Sequence, residues 1–197
     1  MIDRKKAIEQ LSKIKVKGNQ DGLIPAFNVL VNFLPIYFWN TFSEKLLKKA
    51  KNDESKYAEI EHGLELAAAE CGYHTGYGII TSMEFESIIG PMIQKKPDDI
   101  LHGAYAVFTA WGWAEAEIVE LSPSKKVIRA YDYYEADISD TFIVKKPFAY
   151  MIKGVSRAFM DLAYGEAYPK GLGTFKCEQT KAIELGDSYG EFVITKR

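Results

Sequence analysis

Two stretches of the chain switch from a helical to an alternating period, and each turns back on itself. The first is AEAEIVEL at 114–121 with KVIRAYDYY at 126–134 around SPSK; the second is GTFKCEQTKAIEL with the terminal GEFVITKR around GDSY. Alternation puts one face of a strand in a core and the other in water. A short polar turn between two such runs marks a hairpin. Between the hairpins lies one helical run that should start at Pro147, a residue suited to a first turn, and end near Tyr164. Two hairpins around one helix predict an antiparallel four-stranded sheet covered by helices on at least one face, an α+β arrangement.

The residues in front read as helices. Ile2, Ala7, Ile8, Leu11 and Ile14 recur at helical spacing, and KGNQDG at 17–22 ends that segment. From Leu23 to Ser43 no residue is charged, a length that would just span a bilayer. Asn28, Asn32, Asn40, Pro25 and Pro35 argue against insertion, because they would put polar groups and broken backbone bonds into hydrocarbon. The run is expected instead as a buried or dimer-forming helix entered at Pro25 and kinked or divided at Pro35. A third helix is expected over 55–83, with Ile60, Leu64, Ala67, Ala68 and Cys71 inward. Its GYHTG spacing costs propensity and is explained by close approach of another backbone. A fourth runs from Pro97 to Trp111, with Leu101, Ala104, Phe108 and Trp111 stacked.

A chain of 197 residues with 47% apolar content can close one sizeable core, and nothing divides it, so 1–197 is expected as one domain with 1–63 as N-terminal helices. A net charge of −2 gives no field that favours nucleic acid. Cys71 and Cys177 form no CxxC pair, and MIDRKK does not read as a secretory leader, so a reducing cytoplasm is expected.

Reactive constellations are scarce. His62, His74 and His102 lack metal-ligand spacing, no P-loop or GxSxG elbow occurs, and GLG at 171–173 lacks the strand-then-helix context of a dinucleotide site. Glu115, Glu117 and Glu120 are explained by a solvated strand face better than by acid–base work. Tyr131, Tyr133 and Tyr134 with Trp111 and Trp113 are rings that either line a pocket or simply pack.

In the second half, the hairpin AEAEIVELSPSKKVIRAYDYYEAD, the helix PFAYMIKGVSRAFMDLAYG and the ending EQTKAIELGDSYGEFVI, together with the earlier GYHTGYG, resemble the 4-vinyl reductase domain family over residues 64–197. The family's zinc ligands, where present, are a cysteine at the head of the penultimate helix and a glutamate and two cysteines of the ending. Those positions fall here on Ala149, Gln179, Ala182 and Gly190, so no zinc and no other cofactor is expected. The resemblance implies a cavity between helices and sheet for a small, mostly apolar molecule, a fold related to TRAPP subunits, and homodimers. The implied ligand-binding residues are Tyr105, Phe108, Trp111, Trp113, Tyr131, Tyr133 and Tyr150, with no catalytic residue among them.

Three functions are weighed: a non-enzymatic binding module for a hydrophobic or aromatic molecule, a protein-interaction subunit, and an accessory protein or enzyme of tetrapyrrole metabolism. The partners expected are a hydrophobic small molecule and a second copy, with no nucleic acid and no membrane span.

Overall fold

The computed structural model describes residues 2–137 and 144–197. Its centre is the four-stranded antiparallel sheet the sequence predicts: β3 (Ala114–Leu121), β4 (Lys125–Tyr133), β5 (Phe175–Lys181) and β6 (Gly190–Lys196), in spatial order β3-β4-β6-β5. Alternation gives the sheet one apolar face, made by Ala114, Ala116, Ile128, Ala130, Phe175, Cys177, Phe192 and Ile194. Helices α5 (Asp98–Ala110) and α6 (Tyr150–Tyr164) pack on that face and close the main core with Leu101, Tyr105, Phe108, Ile152, Val155 and Phe159. The opposite face carries Glu115, Glu178 and Tyr131 into solvent.

A second layer lies outside. Helix α3 (Glu54–Ile80) runs along α6. The two backbones meet where a side chain would not fit: a Cβ on Gly154 would stand 2.5 Å from the Glu65 carbonyl oxygen, and one on Gly72 would stand 2.9 Å from the Val155 Cα. Gly72 of GYHTG therefore does bring another backbone close, while Gly76 makes room for the Leu162 and Phe159 side chains. The buried line of α3 is Ala68, Ala69, Gly72, Tyr73, Gly76 and Ile79. Ala67 and Cys71, expected inward, are exposed, because the line that faces α6 runs through Ala68, Gly72 and Gly76 instead. Helix α1 (Arg4–Leu11) docks on α5, where Arg4 donates to Thr109 Oγ1 at 3.0 Å. Ala7, Leu11, Phe27, Phe85, Ile89, Ala106 and Val107 form a separate core there, closed partly by α4 (Met83–Ile88).

The run from Leu23 to Ser43 departs from expectation. Ile24–Ala26 (β1) and Val29–Val31 (β2) form a small antiparallel hairpin instead of helix. Phe27 and Asn28 turn it with φ of 51° and 59°, left-handed values that end any helix. Pro35 kinks nothing: it sits extended, and helix α2 (Ile36–Lys49) starts after it. Helix α6 likewise begins at Tyr150 rather than Pro147, where the buried Glu135 carboxylate accepts the Met151 and Ile152 N–H groups at 2.9 and 3.0 Å. Among the described residues, no helix is long and apolar enough to cross a membrane.

Helix α2 is turned inside out. It buries Asn40, Glu44 and Leu47, with Asn40 donating to the Tyr134 and Asp137 carbonyls at 2.8 and 2.6 Å. Its aromatic residues face solvent: Tyr37 is 77% exposed, Phe38 47% and Phe42 47%.

Candidate functional site

Where α5 and α6 diverge near the end of α3, an apolar groove opens between Ile80, Pro97, Ile100, Leu101, Ala104, Phe159, Leu162 and Ala163. It holds about 350 Å³, counting space open to solvent. No charged side chain lines it, so a ligand there is recognised by shape and apolar contact. Phe159 is the one aromatic ring among those lining residues. Tyr105 and Phe108 pack edge-on against it at centroid distances of 5.4 and 6.3 Å.

The hydroxyl of Tyr105 joins a polar cluster. Tyr105 donates its hydroxyl proton to Ser156 Oγ at 2.8 Å. Lys126 Nζ donates to the Tyr105 oxygen at 3.1 Å and to the Ser156 carbonyl at 3.0 Å. The amine also lies 4.7 Å from the Tyr105 ring centroid. Lys126 is fully buried, because strand alternation places it on the core face with Ile128 and Ala130. Burial pushes its pKa down to about 7, against smaller opposing effects of Cys177 and Asp161. The same burial pushes the Cys177 thiol up to about 12 and raises the Tyr105 phenol.

The seven aromatic residues expected to bind ligand fall in five places. Tyr105 and Phe108 pack on Phe159 of the groove, and Trp113 packs on Phe108 at 5.4 Å. Trp111, at the end of α5, packs against Phe27 at 5.0 Å in the outer core. Tyr131 lies on the solvent face of the sheet, donating to Glu117 at 2.6 Å. Tyr150 is buried at the start of α6 with its hydroxyl on Glu61, 2.5 Å away. It borders a second, more polar cleft with Trp39, Asn40, Ser43, Leu64, Tyr134, Glu135 and Met151.

Tyr133 has a different role. Its hydroxyl accepts from Gln179 Nε2 at 3.1 Å and from the Ile183 N–H at 3.0 Å, and donates to Glu184. Glu184 in turn accepts the Phe148 N–H at 2.7 Å, and Gln179 the Ala149 N–H at 3.1 Å. A Cβ on Gly190 would stand 2.6 Å from the Tyr133 ring. Ala149, Gln179 and Gly190, with Ile183 beside Ala182, thus gather around one phenol, which ties the head of α6 to the last hairpin. Among the described residues, no three His, Cys, Asp or Glu side chains are grouped to hold a metal.

Lys126 and Ser156 were not singled out in the sequence. The signal was present in KVIRAY, since a strand that buries Ile128 and Ala130 buries position 126 as well. A lysine at a strand end reads as solvated, and that masked it.

No family model matches the sequence, and no curated protein matches it in sequence. Solved structures do match. The phenol-responsive sensory domain of the transcription activator PoxR, with phenol, superposes with a TM-score of 0.72 at 9% identity, over 98% of this chain and 90% of that one. Trafficking protein particle complex subunit 3 from Naegleria fowleri, covalently bound to palmitic acid, gives 0.48 at 18% identity over 80% and 96%. A vinyl-4-reductase family protein from Methanocaldococcus jannaschii gives 0.47 at 12% over 85% and 84%. The class defined is one of fold. This chain has the fold of the PoxR sensory domain.

Proposed function

We propose that the protein is a single 4-vinyl-reductase-like domain that binds a small hydrophobic or aromatic molecule in the groove between α5 and α6, without catalysing a reaction. The observation that carries this reading is the groove itself, apolar throughout its lining and including the Phe159 ring. Fold likeness to a phenol-binding sensory domain supports it as analogy. Ala163, half-buried on the groove wall, gives the test. Ala163→Phe fills the space, and calorimetric titration with phenol is expected to show at least about tenfold weaker binding than wild type. Equal affinities would place the ligand elsewhere.

The aromatic face of α2 and the segment before it supports a second element, a homodimer. Leu30, Phe33, Leu34, Ile36, Tyr37, Phe38, Trp39 and Phe42 are between 38% and 77% exposed. At roughly 200 Å² per full side chain they present on the order of 800 Å², about one partner's share of a standard interface. A monomer seldom leaves so large an apolar patch in water. A helix that buries Asn40 and Glu44 while exposing its aromatic residues is built to be covered, and two copies related by a two-fold axis can cover each other with the same surface. Phe38, ringed by Trp39 and Phe42 at 5.2 and 6.3 Å, lies within this face. Phe38→Asp is expected to convert dimers to folded monomers in sedimentation velocity. A wild-type monomer, or a dimeric variant, would exclude this interface.

A further inference from the structure

Lys126 is a buried cation without a counter-ion. Its three N–H groups meet two acceptors, the Tyr105 hydroxyl and the Ser156 carbonyl, and among the described residues no carboxylate forms an ion pair with it. The charged groups of the neighbouring elements are engaged elsewhere. On α6, Asp161 accepts the Gly173 and Phe175 N–H groups at 2.9 Å each, and Arg157 turns to Glu65. Two strands away on β5, with Ile194 of β6 between, stands Cys177, a buried thiol. Taking an unpaired ammonium out of water is costly.

The fold does not need that amine. The Ser156 carbonyl belongs to helix α6, and the Tyr105 hydroxyl keeps its own bond to Ser156 Oγ, so an apolar side chain at 126 would orphan no buried donor. What the amine does have is a hydrogen bond to Tyr105, whose ring packs on Phe159 of the apolar groove and whose hydroxyl is bonded to that of Ser156. We infer that Lys126, with Tyr105 and Ser156, anchors the carboxylate of an amphipathic acid whose apolar body lies in the α5/α6 groove. This rests on the groove reading above and names the chemistry of its ligand. The carboxylate supplies the missing counter-charge and accepts the third N–H of the ammonium. Phe159 lines the groove and packs edge-on against Tyr105 at 5.4 Å, so it is the side chain that turns aside to let the head group through.

The probes are octanoate and 1-octanol, which share an apolar body and differ in the head group, titrated calorimetrically into the full chain. Wild type is expected to bind octanoate at least about tenfold more tightly than 1-octanol, the selectivity of a charge-assisted contact. In Lys126→Met that preference should vanish while 1-octanol binding stays. If wild type binds both probes equally, the anchor is refuted and the groove reading stands. A preference that survives in Lys126→Met refutes it too, by placing the charge recognition on another residue. If neither probe binds wild type, the groove reading falls and takes the anchor with it.

Discussion

Gly154→Ala is expected to destabilise the protein by about 3 kcal/mol, at the upper end of what overpacking costs, read as a lower denaturant midpoint at unchanged slope. The added Cβ would meet the Ala68 Cβ and the Glu65 carbonyl at 2.5 Å and the Ala69 nitrogen at 2.7 Å. Two of these atoms are backbone, so no rotamer change relieves the clash, and α3 must move away from α6. That motion would carry the α6 face of the main core with it, including Val155 and Phe159. Gly63 supplies the contrast. It lies in the same helix α3 with nothing within 4 Å of its Cβ position, so Gly63→Ala should stabilise by up to about 1 kcal/mol through helix propensity alone. Equal effects at the two positions would mean that the α3–α6 approach is not tight.

Lys126→Met is expected to do the reverse of an ordinary core polar substitution and raise stability, most strongly below pH 7. The folded-state pKa of the lysine is pushed down to about 7 from 10.5, chiefly by burial. Between those values the unfolded chain holds a proton that the folded chain has lost, so the wild-type contribution to stability rises with pH across the window. Below about pH 7 both states are protonated and the full penalty is present, on the order of 5 kcal/mol at about 1.4 kcal/mol per pH unit. The variant lacks it, so its advantage should be greatest near pH 6 and shrink toward pH 10. Glu135 acts in the opposite sense. Burial pushes its carboxyl up to about 8 against two helix N–H bonds, and from 4.5 to that value it costs stability as pH rises. The reading is therefore the difference between variant and wild type at each pH, from which Glu135 cancels. A variant less stable than wild type at pH 6 would show that the pocket favours the ammonium.

The sheet was legible in the sequence because two local signals agreed: alternation in KVIRAYDYY and FKCEQTK, and polar turns at SPSK and GDSY. Helix α5 was legible from its apolar spacing. The first hairpin was not. Its strands are three residues each, and its turn uses Phe27 and Asn28 at positive φ with no glycine to announce it. The inward face of α3 was drawn through the apolar residues Ile60, Leu64, Ala67, Ala68 and Cys71, whereas close helix packing buries the line through Ala68, Gly72 and Gly76. Of the aromatic candidates, Tyr105 and Phe108 packed on Phe159 of the groove, while Tyr131 and Trp111 went to other surfaces. Strand parity puts Tyr131 and Tyr133 on one face; the register shift between Glu115 and Ala116, which leaves Tyr131 without a partner, is what separates them, and no sequence signal announced it. Lys126 shares strand parity with Ile128 and Ala130, but its hydrogen bonds to Tyr105 and Ser156 come from α5 and α6 and were not in the strand pattern.

The central claim is that the α5/α6 groove holds a small apolar molecule, and native mass spectrometry of the full chain with phenol, 1-octanol and octanoate tests it most directly. The predicted result is a complex of one molecule per chain that Ala163→Phe abolishes while keeping its fold. Bare chain in every spectrum at saturating probe, or a complex that Ala163→Phe leaves intact, would contradict it.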